Sequence, residues 1–159
     1  MPHRALSVLR FRTGFSTATF DMPASKSILK IRTKSVHSPI EPKTDGLRIL
    51  ASRLRGRGLP ANRYDVWMAN LGPSERLLRQ FQSGAVTWAE FSRRYRAELF
   101  EGGGVDLRNR TIRNHGQKFT LRLLQELARR QPMTLLCHCP EDEPHCHRHV
   151  LRLLLEGKI

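Results

Sequence analysis

The sequence predicts a single α/β domain with a small, mostly parallel sheet flanked by helices. Three observations carry this. Short apolar or β-branched runs lie near both ends of the chain, at residues 27–36, 47–54 and 133–138. Between the second and third runs lie segments with helical spacing and clear start signals. A chain of 159 residues, 39% of them hydrophobic, is long enough to bury one core. No apolar run approaches the ~20 residues that a membrane-spanning helix requires. No fixed period marks a coiled coil or a repeat array.

The elements follow in order. In Ser27–Val36, Leu29, Ile31 and Thr33 alternate with Lys30, Arg32 and Lys34. Period two with β-branched residues reads as a strand. The next ten residues, HSPIEPKTDG, hold two prolines and a glycine and read as a loop. A second strand is expected over Leu47–Leu54. It runs into Arg55-Gly56-Arg57-Gly58-Leu59-Pro60, a turn with glycines between arginines. Ser74 is placed to cap a helix whose inner stripe is Leu77, Leu78 and Phe81. Thr87 and Glu90 form a capping-box pattern. Behind them, Trp88, Phe91, Tyr95 and Leu99 fall on one helical face and read as core. Gly102, Gly103 and Gly104 stop that helix, and residues 105–116 read as loop. Gln117–Arg130 is the next amphipathic helix, with Phe119, Leu123, Leu124 and Leu127 expected to face inward. Met133–His138 is a short apolar strand suited to the centre of a sheet. The loop CPEDEPH then leads to a last helix from about Cys146 to Glu156, ended by Gly157.

Lys and Arg number 28 against 14 Asp and Glu, a formal charge of +14. Such a surplus favours anionic partners: a phosphate group, a nucleotide or nucleic acid. It argues against a membrane-embedded role. The three cysteines, Cys137, Cys139 and Cys146, all fall within ten residues. An odd, clustered set is unlike a secreted disulfide framework and suits a reducing, cytoplasmic setting. The first 21 residues are rich in Arg, Ser and Thr and hold one acid, Asp21. They read as a transit-peptide-like stretch, a disordered arm, or sequence ahead of a natural start at Met22. Residues 1–26 are therefore set apart from a domain spanning residues 27–159. Oligomeric state is left open.

The chemistry concentrates in Leu135–His149. Four histidines and three cysteines fall between Cys137 and His149. Ligands of open α/β sheets bind at the carboxyl ends of strands. Cys146 lies where the last helix begins, and unpaired N–H groups there favour an anion or a thiolate. One reading is an anion site. Cys146 is its nucleophile and His147 its proton partner. Arg53, Arg57, Arg148 and Cys137 line the ligand. A second is a zinc site, with Cys137, Cys139 and Cys146 joined by His138 or another of the four histidines. A third is packing of small thiols, which suits Cys137 taken alone. The His145-Cys146-x5-Arg152 spacing matches a cysteine-phosphatase loop. Its intervening residues lack glycine and read as helix, which argues against a phosphate-wrapping loop.

Several segments together resemble a bacterial family. Ala51-Ser52-Arg53-Leu54-Arg55-Gly56-Arg57-Gly58 stands where the family has approximately Val-Asp-Arg-Leu-Trp-Pro-Arg-Gly. Tyr64-Asp65-Val66-Trp67 to Ala69–Ser74, and Trp88-Ala89-Glu90-Phe91 to Arg94–Leu99, match further. Leu135-Leu136-Cys137 with Cys146-His147-Arg148 matches an L-L-C…C-H-R pattern. Over about residues 28–156 the chain resembles domain-of-unknown-function family 488, in its YeaO-like branch. The resemblance implies an α/β fold and locates the site at these motifs. It also implies a start just before the first strand, at Met22. The family motif carries no full set of zinc ligands. The chain departs from the pattern at Ser52, Arg55 and Gly56, where the family has Asp, Trp and Pro.

Overall fold

The computed structural model describes residues 29–103 and 115–159. The expected N-terminal arm, and nearly all of the loop expected over 105–116, lie outside the described residues. Four strands form one sheet: β1 (Ile31–Ser35), β2 (Leu47–Leu50), β3 (Val66–Trp67) and β4 (Met133–Cys137). Their order is β1-β4-β2-β3 and every pairing is parallel. The last strand of the chain is thus an interior one, flanked by β1 and β2. It is buried along its whole length, as its unbroken apolar run requires.

Four helices complete the fold: α1 (Glu75–Gln82), α2 (Trp88–Phe100), α3 (Lys118–Arg130) and α4 (His147–Leu155). Ser74 caps α1 by accepting from Leu77 N at 3.2 Å. Thr87 caps α2 by accepting from Glu90 N at 3.3 Å. The carboxylate of Glu90 turns instead to Arg93 and Arg94. The helices contribute Leu77, Phe91, Tyr95, Leu99, Leu124, Val150 and Leu151 to one core. This core covers the sheet face carrying Ile31, Ile49, Met133 and Leu135.

The opposite face is covered by connecting segments. Leu50 and Leu136 pack there with Val36, Leu59 and Tyr64. Lys34 also points to this side. It is buried, where the alternation placed it in solvent, and its Nζ donates to Asp45 Oδ1 at 3.1 Å and Pro39 O at 2.7 Å. A buried ammonium needs such partners.

Three expectations are corrected. The second strand ends at Leu50 rather than Leu54, because the chain turns away to pack residues 52–53 against Gly72. A third, two-residue strand, β3, was too short to leave a periodic signal. On α3, Phe119 and Leu123 are exposed, at 59% and 57%, and Leu127 is half-buried. The buried stripe is Leu121, Leu124 and Ala128. Among the described residues, no helix is long and apolar enough to cross a membrane.

Candidate functional site

Cys137 ends β4, and Cys146 occupies the N-cap of α4. The intervening loop doubles back and brings the two together. Arg148 fixes that loop. Its guanidinium is fully buried and donates to the carbonyls of Cys139 (3.1 Å), Pro140 (2.7 Å) and Glu141 (2.9 Å). Glu141 in turn accepts from Ser35 N at 2.7 Å and from Ser38 Oγ, tying the loop to the end of β1.

The result is a sulfur-imidazole cluster. The Sγ atoms of Cys137 and Cys139 lie 3.6 Å apart. His147 Nδ1 lies 3.9 Å from Cys137 Sγ and 3.9 Å from Cys146 Sγ. The ligand atoms of Cys137, Cys146 and His147 all fall within 4.8 Å of one another. These three residues are buried, with exposures of 5%, 1% and 6%. Cys139 is half-exposed. His147 Nε2 donates to Ala51 O at 2.5 Å, so Nδ1 is the nitrogen turned to the sulfurs. The Tyr95 ring meets the imidazole edge-on at 5.6 Å, and its hydroxyl donates to Leu71 O at 2.5 Å.

Of the three thiols, Cys137 is the one pulled down. Hydrogen bonds from the thiols of Cys139 and Cys146, with the nearby Arg148 guanidinium, hold Cys137 well below the ordinary thiol range against its burial. The same bonds, together with burial, push Cys146 up, and they outweigh the Arg148 N–H at the start of α4. Cys139 is also raised, chiefly by its bond to Cys137. Burial pushes His147 down, disfavouring its protonated form. Helix-start reasoning named Cys146 as the ionised thiol; in the cluster the downward pull falls on its neighbour Cys137.

The remaining site residues of the sequence reading take separate positions. His138 points to the opposite face from Cys137, as alternation along a strand requires. Its Nε2 donates to Arg55 O at 2.9 Å, and its Nδ1 lies 3.4 Å from His37 Nε2. It is away from the thiols, and His147 stands beside them instead. His145 packs on Trp88, and His149 Nε2 donates to Glu143 O at 3.0 Å. The Arg53 guanidinium donates to the carbonyls of Gly72 (2.8 Å) and Pro73 (3.2 Å). Arg57 is exposed, between Gly56 and Gly58, whose φ angles are +89° and +76°. The phosphatase-like spacing is embodied in a regular helix, since α4 begins at His147. Sequence reasoning missed Ala51 and Glu141. The first acts through its backbone carbonyl, and neither carries a local signal.

Residues 31–158 match the family profile described as "Active DUF488-N3 subclade". The chain belongs to the DUF488 family. A DUF488 chain of this kind is similar to the "Uncharacterized protein YeaO" of Escherichia coli (strain K12). The two are 33% identical over 110 residues, which is 68% of this chain and 82% of that relative. No solved structure matches the chain. In this DUF488 domain, the L-L-C and C-H-R segments supply Cys137, Cys146 and His147, the three members of the buried cluster.

Proposed function

We propose that this domain acts on a phosphate-bearing anion, a nucleotide or a nucleic-acid end, with the Cys137–Cys146–His147 cluster as its reactive centre. The observation that carries the reading is the cluster's place at the carboxyl end of the interior parallel strand β4. That is where open α/β sheets receive ligands. The loop leaving β2 lies against the same strand end. Ala51 O holds His147, and Gly56 packs over His138, one residue beyond Cys137. This loop carries Arg57, whose guanidinium has no hydrogen-bond or ion-pair partner among the described residues. In this reading Arg57 holds the phosphate, while Arg53 and Arg148 fix the two loops that frame the site.

The test is binding of fluorescent nucleotides and a 5′-phosphorylated oligonucleotide by anisotropy. A charge-assisted hydrogen bond contributes about 1.5–3 kcal/mol, so Arg57→Ala is expected to weaken binding about tenfold or more. Arg76→Ala, an exposed arginine on α1, serves as the control. Equal losses for the two variants defeat the reading.

The net charge of +14 favours a second reading: a non-enzymatic, basic nucleic-acid-binding module in which the cluster is structural. It expects steep salt dependence and no effect of Cys146→Ser on binding by the folded protein.

A further inference from the structure

We infer that Cys137, Cys146 and His147 hold a soft divalent metal of the zinc class, with the half-exposed Cys139 as fourth donor. The inference rests on the second reading, in which the cluster is structural, since four protein donors make a closed zinc site. Three geometric observations support it independently of any ligand.

The first is spacing. Zinc lies about 2.3 Å from thiolate sulfur and about 2.0–2.1 Å from imidazole nitrogen. A tetrahedron with those bonds has S···S edges of about 3.8 Å and S···N edges of about 3.6 Å. The corresponding separations here are 3.6 Å for Cys137–Cys139 and 3.9 Å for each of the two sulfur–His147 pairs. Three of the six edges therefore already lie within a few tenths of an ångström of the tetrahedral values.

The second is the imidazole's orientation. A ligating histidine donates its other ring N–H to a carbonyl or carboxylate, which fixes the tautomer that coordinates. His147 does this through Nε2 to Ala51 O, and Nδ1 faces the sulfurs. The third is enclosure. Three donors are nearly excluded from solvent, and the loop between them is pinned by Arg148 to three carbonyls. Two buried thiols and an imidazole whose donor atoms lie within 4.8 Å of one another, with a third thiol 3.6 Å from Cys137, satisfy each other poorly as hydrogen-bonding groups. They suit a soft cation well. His138, the histidine first paired with the thiols on spacing, faces away and is not a ligand.

The experiment uses the full chain, purified and kept reduced, with elemental analysis followed by cobalt(II) titration. One metal per chain and sulfur-to-cobalt charge-transfer absorption saturating at one equivalent are expected. Cys137→Ser and Cys146→Ser should each weaken that absorption by about a third or more and loosen cobalt binding. His138→Gln should leave it intact. Because the serine variants risk misfolding, His147→Cys gives a second measure. It should retain one cobalt and shift the spectrum towards all-sulfur coordination. Failure of the reduced wild-type chain to bind cobalt or zinc overturns the inference, as does an unchanged spectrum in Cys146→Ser. Nucleotide binding that persists in metal-free protein and is lost with Arg57→Ala would leave the anion reading intact while removing the metal.

Discussion

His147 and Ala51 are 96 residues apart in sequence and are joined by a single 2.5 Å hydrogen bond from imidazole Nε2 to carbonyl oxygen. That bond links the start of α4 to the end of β2. It also decides which ring nitrogen faces the thiols. Any change that displaces residues 51–53 therefore acts on the cluster without touching a sulfur.

The Arg55–Leu59 turn offers a direct comparison of two glycines. Both have positive φ, where an L side chain costs about 1 kcal/mol. A Cβ at Gly56 would also lie 2.6 Å from His138 Cε1, while Gly58 has open space around it. Gly56→Ala is expected to lower stability by about 2 kcal/mol or more and Gly58→Ala by about 1 kcal/mol. Urea unfolding of the two variants measures the difference, and equal effects would contradict the close packing over His138.

Arg148 is expected to be intolerant of lysine. Its planar fork serves carbonyls from three successive residues, Cys139, Pro140 and Glu141, and an ammonium on a flexible stem does not reproduce that geometry. Arg148→Lys should cost about 2–4 kcal/mol, since buried acceptors and a buried charge both lose partners. The loop 139–145 should then become a site of early cleavage in limited proteolysis.

The two apolar stripes of α3 make opposite predictions. Leu124 is fully buried, so Leu124→Ala should cost about 2–5 kcal/mol. Leu123 is 57% exposed, and Leu123→Ala should fall within about 0.5 kcal/mol of wild type. Reversal of that order in thermal unfolding would mean that the helix is rotated.

Asp65 predicts part of the acid limb of the stability profile. Arg48 donates to its carboxylate through both the backbone N–H (2.8 Å) and Nη2 (2.6 Å), which holds Asp65 below its ordinary carboxyl value of 3.8. Below that value the unfolded chain binds the proton first. The stabilisation is thus complete above the unfolded value and is lost as pH falls through the folded one. The pair is partly exposed, so its contribution is about 1 kcal/mol after screening. Asp65→Asn should remove that slope from denaturation curves collected between pH 5 and pH 2, a window placed by the carboxylate reference value. An unchanged slope would show that the pair contributes nothing.

The sequence was most legible where chemistry is local. Ser74 and Thr87 cap the helices their positions announced, and the unbroken apolar run of Met133–Cys137 is an interior strand. The cysteines were legible as a group. Their histidine partner was not, because four candidates sit within reach in sequence. Only strand alternation, which turns His138 away, and the helix start, which turns His147 in, separate them. On α3 two apolar stripes have equally good helical spacing, and the small Ala128 marks the face that packs closely. The carbonyl partners of Arg53 and Arg148 were not legible, because no side-chain pattern encodes a backbone acceptor.

The strand order has a consequence for how the molecule is made. β1 and β2 do not pair with each other, since both wait for β4, which is translated about a hundred residues after β1. During synthesis β1 emerges with no partner and β2 with only the two-residue β3, and the sheet closes only when residues 133–137 leave the ribosome. Pairing across so long a span is slow and leaves strand edges exposed in the meantime. The segment that closes the sheet also carries Cys137, and Cys146 follows at once. Completion of the fold and assembly of the cluster are therefore one late event, so a chain arrested before β4 has neither.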